Sequence, residues 1–252
     1  MKFSIITVCF NSSKTILDTL KSVGGQTFGD VEHLIVDGAS RDETLEVIRN
    51  YDGHNVSVVS EPDDGLYDAM NKGIKMASGD IIGILNSDDY FESSDTLSIV
   101  ARYFEQHPEV DVVFGDVIFV DPDRTEVVTR YYRANRFRPW KLRFGWMPPH
   151  PATFVRRSVY ERFGEYRKDM KISADYEMFV RWLVRGRVSW GYLDKTLVRM
   201  RAGGISTSGI RSSIILNREI VRACRVNGIY TNLFLVLLKT PFKLLELAKR
   251  PS

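Results

Sequence analysis

The chain has 252 residues, of which 44% are hydrophobic and 27% are charged. This balance excludes a disordered chain, and the length suits one large α/β domain or a domain with a sizeable appendage. Cys9 and Cys224, the two cysteines, lie far apart without CxxC spacing, which argues against a disulfide framework or a zinc site and favours buried thiols in a reducing compartment. The first predicted strand begins at residue 3 and leaves no room for a secretory signal, so we expect a cytoplasmic protein.

Charge is distributed unevenly along the chain. Residues 1–128 hold 24 Asp and Glu against 9 Lys and Arg, a net charge of −15, whereas the remainder holds 8 acids and 26 bases, a net charge of +18. An acidic half suits a divalent metal ion, and a basic half suits an anionic substrate or an anionic membrane surface. The alternative is mutual neutralisation across an internal interface, and composition does not separate the two.

Strand-like and helix-like segments alternate in the first half of the chain. Near-continuous β-type runs predict strands at residues 3–10, 33–38, 56–60, 81–85 and 110–117. Apolar residues at helical spacing predict helices at residues 13–23, from Ser40 onward, 66–77 and 95–106. Ser40 and Glu43 have the spacing of a capping box. This alternation implies right-handed, parallel βαβ units in one doubly wound sheet.

The pattern changes in the second half of the chain. A turn at residues 120–126 separates two short predicted strands, and the stretch RYYRANRFRPWKLRFGW that begins at Arg130 carries six basic residues and no acid. Further elements are predicted as a strand within 148–157, a helix at 175–186, and strands at 188–193 and 196–202. No repeat or low-complexity linker interrupts the chain.

Acidic residues gather where the predicted parallel strands end. In an open parallel sheet, ligands bind beyond the carboxyl ends of the strands. Six acids follow these ends: Asp37, Glu61, Asp63, Asp64, Asp88 and Asp89. They would repel one another unless a cation or sugar hydroxyls lie among them. Magnesium and manganese prefer oxygen ligands and take one or two protein carboxylates, which Asp88 and Asp89 would supply. The alternative is that Asp88 caps a turn or helix.

Asp37 is also where a dinucleotide-binding protein would hold a ribose. That fingerprint requires a glycine-rich turn after the first strand, and this chain has CFNSSK there. No Walker sequence, GxSxG elbow or HExxH motif occurs either. A ribose contact without a pyrophosphate loop indicates a nucleotide whose phosphates are held by metal, which favours a sugar nucleotide.

Five segments, in this order and spacing, resemble the family 2 inverting glycosyltransferases with the GT-A fold: SIITVCFNS, IVDGASRDET, EPDDGLYDAMNKGIKMASGDIIGILNSDDYF, HPATFVRR and SADYEMFVRWL. The resemblance covers residues 2–206 and is greatest for enzymes that build bacterial O-antigen and exopolysaccharide repeat units. It implies an α/β, mostly parallel GT-A sheet flanked by helices over residues 1–206. Residues 1–128 would bind the nucleotide sugar, residues 129–206 the acceptor, and residues 207–252 would form a C-terminal helical extension.

The resemblance also implies residue roles. The nucleotide-sugar-binding residues would be Thr7, Asn11, Asp37, Gly38, Asp64, Asn71, Asn86 and Ser87. The metal motif of the family, Asp-X-Asp, reads Asn86-Ser87-Asp88 here, so Asp88 would carry most of the ligation of Mn²⁺ or Mg²⁺, with Asp89 beside it. The donor base would be uracil, guanine or thymine, and the family favours uridine.

Asp175 resembles the catalytic base of the family. An acceptor hydroxyl must lose its proton to a carboxylate as it attacks the anomeric carbon, and one displacement inverts the configuration. Asp175 opens a predicted helix whose dipole favours its ionised form. A capping role is the alternative, for which Ser173 competes.

Three other residues are candidates for the acceptor site or for a loop that closes over the donor. His150 would line the acceptor site or serve as a structural loop residue. Arg201 or Ser206 would meet the diphosphate from a loop made flexible by Gly203 and Gly204, or that loop is an ordinary surface loop.

The basic stretch and the tail indicate a membrane. Interleaved basic and aromatic residues also occur in nucleic-acid-binding proteins, but the acidic sheet edge would repel a polyanion. A lipid-linked (polyprenyl pyrophosphate) saccharide acceptor or an anionic membrane accounts for them better. Residues 233–238, LFLVLL, are too few to span a bilayer. Basic residues from Lys239 to Arg250 predict an interfacial helix, and a helix packed on the domain or on a dimer partner is the alternative.

We therefore predict metal-dependent, inverting transfer of a sugar from a nucleotide sugar to a lipid-linked saccharide at the cytoplasmic face of the membrane, to which the protein would attach peripherally. A sugar-phosphate nucleotidyltransferase is one alternative, but it would need a glycine-rich basic loop after the first strand. A silent nucleotide- or glycan-binding module is another, and Asn86 in the metal motif keeps it open.

Overall fold

The computed structural model describes residues 1–203 and 209–239. Within these residues nine strands form one sheet. The strands are β1 (Phe3–Cys9), β2 (Val31–Asp37), β3 (Val56–Ser60), β4 (Ile81–Ile84), β5 (Tyr90–Phe91), β6 (Val112–Val120), β7 (Val128–Tyr132), β8 (Thr153–Arg156) and β9 (Trp190–Arg201). The α-helices are α1 (Ile16–Gly24), α2 (Thr44–Arg49), α3 (Leu66–Met76), α4 (Thr96–Gln106), α5 (Arg157–Phe163), α6 (Ala174–Phe179), α7 (Gly209–Val226) and α8 (Leu233–Leu237). Two 3₁₀-helices (Pro139–Phe144 and His150–Ala152) and a π-helical segment (Val180–Arg185) complete the described elements.

The first four long strands form the parallel part of the sheet, in the spatial order β3-β2-β1-β4. Cys9 lies beside Asp37, and Asp37 lies beside Ser60, so the carboxyl ends of three strands meet at one edge. Every residue of β1 is buried, because helices cover both faces of the sheet. The predicted parallel βαβ units are confirmed for these strands.

The second half of the sheet is mixed. We expected β6 to extend the parallel units, but β8 lies between β4 and β6 and is antiparallel to both. β6 also pairs with β7 antiparallel and with β9 parallel. Two strands predicted at 188–193 and 196–202 are one continuous strand, β9, because shifts in its register with β6 near Asp116 absorb the irregularity between them.

The sheet is curled. β5 begins six residues after β4 ends, yet it lies four strand positions away, at the far end of the order β4-β8-β6-β9-β5. Four strand spacings are about 19 Å. The intervening chain includes the turn closed by the Asp89 N–H to the Asn86 carbonyl at 3.1 Å, so it is shorter than its full extension. The sheet therefore closes toward a half-barrel, with the residue 86–89 turn at the open edge.

Two helix predictions need correction. The capping box at Ser40 does not form: α2 begins at Thr44, whose N–H donates to Asp42 Oδ1 at 3.0 Å, while the Ser40 hydroxyl donates to Asp37. Residues 175–186 are α6 followed by the π-helical segment rather than one regular α-helix.

The C-terminal helices pack onto the domain. Ile220, Ala223 and Cys224 of α7 are buried in the same core as α3 and α6. The prediction that Lys239 lies on the solvent-facing side of an interfacial helix is wrong. Its side chain is buried, and its Nζ lies 3.4 Å from the Gly145 carbonyl oxygen. The remaining basic positions of that predicted helix lie outside the described residues. No helix among the described residues is long and apolar enough to cross a membrane.

Candidate active site

The end of β2 is a closed hydrogen-bonded frame around Asp37. Its carboxylate is fully buried and accepts from the Ser40 hydroxyl (2.5 Å), the Ser40 N–H (3.0 Å) and the Ser60 hydroxyl (2.7 Å). Hydrogen bonds to a buried carboxylate offset its desolvation. A ribose hydroxyl would have to replace one of these donors, so the ribose role of Asp37 stays a prediction.

Asn11 completes the same frame from β1. It has a left-handed backbone (φ 50°), which Asn tolerates better than most residues. Its N–H donates to the Ser40 hydroxyl at 2.8 Å, and its Oδ1 accepts from the Arg41 N–H at 2.9 Å. Asn11 is exposed and near any ligand at this edge. Thr7 is fully buried, with its hydroxyl 2.9 Å from His33 Nε2, so its predicted contact with the base has no support in this geometry.

An aromatic platform lies beside this frame, and the sequence analysis missed it. Phe10 follows β1 with 58% of its surface exposed. A Cβ at Gly38 would lie 2.5 Å from the Asp63 carboxylate and 3.5 Å from the Phe10 ring, so these three residues converge. The signal in the sequence is a large aromatic residue at the end of a fully buried strand. An exposed ring beside a carboxylate suits the face of a nucleobase.

Two predicted nucleotide contacts have protein partners instead. Asn71 is buried and forms two hydrogen bonds with the Tyr166 backbone, from its amide to the carbonyl and from the N–H to its Oδ1, both at 2.9 Å. It therefore joins α3 to a segment 95 residues away. Asp64 is exposed and pairs with Lys168 at 3.3 Å, so it remains accessible to a ligand. Their assignment to the nucleotide remains a prediction.

The turn after β4 brings the predicted metal residues together. Asn86 Nδ2 donates to Asp89 Oδ2 at 3.0 Å, and Ser87 Oγ lies 2.8 Å from Ser12 Oγ. Asp89 is buried, Asp88 is half-buried, and Asn86 Oδ1 is buried without a hydrogen-bond partner. The Asp37 carboxylate accepts three hydrogen bonds, whereas in this turn the Asn86 amide oxygen accepts none.

Burial raises the pKa of both acids of this turn, and the Asp88 charge raises that of Asp89 further. Arg201 opposes both shifts. It is buried, donates to the Asp88 carbonyl oxygen at 2.8 Å and forms an ion pair with Asp18. Its predicted contact with the diphosphate remains a prediction, and its observed contacts hold the turn in place. Ser206 and Gly204 lie outside the described residues.

The residues of this turn fit a divalent cation. Among residues 1–203 and 209–239 no three His, Cys, Asp or Glu side chains form a ready cluster, so the protein itself would supply few ligands. Asp88 offers a carboxylate whose raised pKa a cation would lower, and Asn86 Oδ1 is a buried oxygen without a donor. Magnesium and manganese commonly bind one or two carboxylates and substrate phosphates. Asp88 and Asn86 are therefore suitable as the few oxygen ligands that such a cation takes from the protein.

Asp175 lies in the first turn of α6 and is half-buried. Its Oδ1 accepts from the Tyr176 N–H at 2.8 Å and lies 3.2 Å from the Tyr67 hydroxyl. Burial raises its pKa above 3.8, and His150 and these hydrogen-bond donors partly offset that shift. Ser173 stands at the N-cap position, but its hydroxyl is buried without a partner, so it does not cap the helix.

Aromatic residues and a histidine surround this carboxylate. The Tyr67 hydroxyl donates to the Ile172 carbonyl at 2.6 Å, and its ring stacks on Tyr166 with centroids 5.6 Å apart. His150 Nε2 lies 2.6 Å from the Tyr166 hydroxyl, and burial lowers the pKa of His150. Tyr67 is two residues from Gly65, which follows the acids at the end of β3, so Asp175 lies beside the strand-end edge. His150 therefore belongs to the surroundings of Asp175, and its role in the acceptor site stays a prediction.

Glu219 of α7 holds the loop that leads to Asp175. Its carboxylate accepts from three consecutive N–H groups, those of Lys171 (2.7 Å), Ile172 (2.9 Å) and Ser173 (3.0 Å). The sequence analysis missed this residue because a lone Glu on an amphipathic helix carries no local signal. A helix from the C-terminal extension thus fixes the position of the candidate base.

The comparisons with known proteins identify the family of the chain. The family model described as Glycosyl transferase family 2 matches residues 4–164. A PGL/p-HBAD biosynthesis glycosyltransferase of Mycobacterium bovis (strain BCG / Pasteur 1173P2) is 33% identical over 182 residues, which cover 71% of this chain and 68% of that protein. The hyaluronan synthase of Pasteurella multocida is 29% identical over 87% of this chain and 23% of its own length.

Two solved structures have the same fold. TarS 1-349 of S. aureus in complex with UDP matches with a TM-score of 0.66 and 21% identity, over 88% of this chain and 65% of the TarS chain. Mannosyltransferase PcManGT from Pyrobaculum calidifontis, in complex with GDP-Man and Mn²⁺, matches with a TM-score of 0.67 and 18% identity, over 98% and 73% of the two chains. The chain thus belongs to glycosyltransferase family 2 and has the GT-A fold.

Proposed function

We propose that this glycosyltransferase transfers a sugar, with inversion, from a UDP-sugar to a lipid-linked saccharide in surface polysaccharide biosynthesis. The observation that carries this proposal is the pair of desolvated acids at one edge of the sheet: Asp175 at the start of α6, and Asp88 in the turn after β4. One would serve as the base and the other would hold the cation. The mycobacterial relative is by name a PGL/p-HBAD biosynthesis glycosyltransferase, and the lipid-linked acceptor is proposed from the family resemblance.

Asp175 would accept the proton of the acceptor hydroxyl. Its hydrogen bonds in the described part of the chain all involve Oδ1, so Oδ2 is the oxygen that can receive a proton. The raised pKa makes the ionised carboxylate of Asp175 a stronger base than an ordinary carboxylate. Tyr67 and the Tyr176 N–H fix the orientation of the carboxylate.

The donor would lie along the strand ends. Phe10 would stack on the base, and Asn11 with the Asp37 frame would define the ribose position. Asp88 and Asn86 would hold Mn²⁺ or Mg²⁺, which when bound stabilises charge on the leaving diphosphate. The ligands of the two solved relatives, UDP in one and GDP-Man with Mn²⁺ in the other, support this class of donor. We favour UDP because of the family resemblance.

A nucleotide titration tests the proposal. Calorimetry with UDP, GDP, dTDP and NAD, each with and without Mn²⁺, should give tight binding of one nucleoside diphosphate that depends on metal. Asp88→Ala should lose the metal-dependent nucleotide binding. Asp175→Asn should keep nucleotide binding, and its donor turnover should fall by at least about 100-fold. Nucleotide binding that ignores metal, with Asp175→Asn harmless, would identify a silent binding module. Formation of a nucleotide sugar from a nucleoside triphosphate and a sugar phosphate would identify a nucleotidyltransferase.

A further inference from the structure

The 3₁₀-helix Pro139–Phe144 and α8 form one continuous surface, although about 90 residues separate them in the chain. The Thr231 hydroxyl donates to the Arg143 carbonyl at 2.5 Å, and Lys239 Nζ approaches the Gly145 carbonyl. Leu142 and Val236 are fully buried and anchor the two elements to the core. The spatial relation of the two elements is therefore fixed by contacts on their inner sides.

The outer sides of these elements expose large apolar side chains. Tyr230, Phe234 and Trp140 are exposed by 71%, 70% and 60% of their surfaces. Leu233, Leu237 and Leu238 are exposed as well. Single exposed apolar residues are common, but six on or next to two packed elements are of the kind that marks an interaction site.

Four cations lie within the same segment as Trp140: Arg136, Arg138, Lys141 and Arg143. Other basic residues of this half pair with acids of the first half, as Lys168 does with Asp68 and Arg201 with Asp18. Within the described ranges, no carboxylate lies within 4.0 Å of any of these four cations. Burial, with a further contribution from the neighbouring Arg138 and Arg136 charges, lowers the pKa of Lys141.

We propose that these six apolar residues and four cations form an aromatic–basic surface that docks on an anionic membrane surface. Aromatic rings favour the headgroup region, and Lys and Arg are attracted to anionic lipids there. A second copy of the chain would bring the same cations face to face across a two-fold axis, which their repulsion disfavours. Exposed leucines are of little use to a nucleic-acid partner, whose recognition relies on phosphate contacts and base stacking.

This surface is close to the candidate base. Gly145, at the end of the 3₁₀-helix, lies beside the Tyr176 side chain, and Tyr176 follows Asp175 in the chain. α7 connects directly to α8 and carries Glu219, which holds the loop before Asp175. This step rests on the proposed function. Docking would hold the acceptor half of the site at the membrane, where a lipid-linked saccharide resides.

Co-sedimentation of the full chain with lipid vesicles tests the surface without any donor or acceptor. We expect partition onto phosphatidylcholine vesicles that contain phosphatidylglycerol, weak partition onto pure phosphatidylcholine, and a decline with added salt. The double variant Trp140→Ala/Phe234→Ala should lower the partition coefficient at least about tenfold. The double variant Arg136→Glu/Arg138→Glu should have an effect of at least about the same size.

Matched controls separate the surface from general effects. Val58→Ala removes an exposed apolar side chain elsewhere, and Arg49→Glu/Arg102→Glu makes the same charge change on α2 and α4; neither should alter partition. Thermal melting in buffer verifies that each variant folds, and metal-dependent UDP binding should be unchanged in all of them. If the parent protein partitions onto the vesicles but does not bind UDP, the proposed function is refuted and the proposal of a membrane-docking surface is not.

Three results would overturn the surface. Equal losses in the controls would show a diffuse charge effect. Unchanged partition of the Trp140→Ala/Phe234→Ala variant, with a loss in Phe242→Ala/Leu245→Ala, would move membrane binding to residues 240–252. Sedimentation equilibrium that shows a dimer of the parent chain and a monomer of Phe234→Ala would identify a second copy as the occupant.

Discussion

The ends of β2 and β4 lie at the same edge of the sheet but are built in opposite ways. At the end of β2, Asp37 is fully buried and three donors from Ser40 and Ser60 surround its carboxylate. At the end of β4, Asp88 has a raised pKa, and the buried Asn86 Oδ1 has no partner. The carboxylate at the first end accepts three hydrogen bonds from protein donors, whereas the second end leaves the Asn86 amide oxygen available to a ligand.

This difference favours Asp88 over Asp37 as the acid that binds a ligand directly. A buried carboxylate with a full set of donors stabilises the fold, and its removal leaves those donors unsatisfied. A buried carboxylate without donors costs stability, and such sites persist where function requires them. Composition gives both acids equal weight, because six carboxylates follow the strand ends and nothing local distinguishes them.

Substitution of the two acids gives the largest contrast. Asp37→Ala should lower the free energy of unfolding by about 3 kcal/mol, because it leaves buried donors without an acceptor. Asp88→Asn should instead raise the free energy of unfolding at pH 7 without metal, while metal-dependent UDP binding falls by at least about 100-fold. Urea unfolding and calorimetry measure the two effects. If both substitutions lower the free energy of unfolding equally, the distinction between a structural role for Asp37 and a ligand-binding role for Asp88 is wrong.

The hydrogen bonds that Glu219 accepts from the loop before Asp175 can be tested in the same way. Glu219→Gln retains one oxygen acceptor but not two, so the loop before Asp175 should lose at least one hydrogen bond. We expect kcat for donor turnover to fall about tenfold while the affinity for UDP stays within about twofold. Glu105→Gln, at an exposed position on α4, is the matched control. A fall in Tm with no change in kcat would make Glu219 only a structural residue.

The pH dependence of stability sharpens the same contrast. The folded-state pKa values of Asp88 and Asp89 lie above 3.8, so between 3.8 and those values the folded state binds more protons than the unfolded state. Their contribution to the free energy of unfolding therefore falls as the pH rises through that window. Asp89→Asn should gain stability relative to the parent chain as the pH rises from 4 to 7. Urea midpoints in the presence of a chelator measure this, and a difference that does not vary with pH would contradict it.

The smallest expected effect concerns Tyr67. Its hydroxyl lies 3.2 Å from Asp175 Oδ1 and 2.6 Å from the Ile172 carbonyl, so it shares one proton between two acceptors. Tyr67→Phe should raise the pKa of Asp175 further and move the acidic limb of the kcat profile to higher pH, with about a two- to threefold loss at neutral pH. Tyr103→Phe is the control. An unshifted acidic limb would show that the carbonyl takes the proton alone.

The family, the parallel strands β1 to β4 and the acids at their ends could be predicted from the sequence, because continuous apolar runs and strand-end polarity are local properties of the chain. The sequence also indicated Asp175 through a motif. Only the tertiary structure decided that β8 lies between β4 and β6, that Asn71 is bonded to Tyr166, and that Glu219 holds the loop before Asp175. These contacts join residues between 39 and 95 positions apart. Whether a carboxylate is surrounded by donors or left without them depends on the packing of distant segments, and that packing separates Asp37 from Asp88.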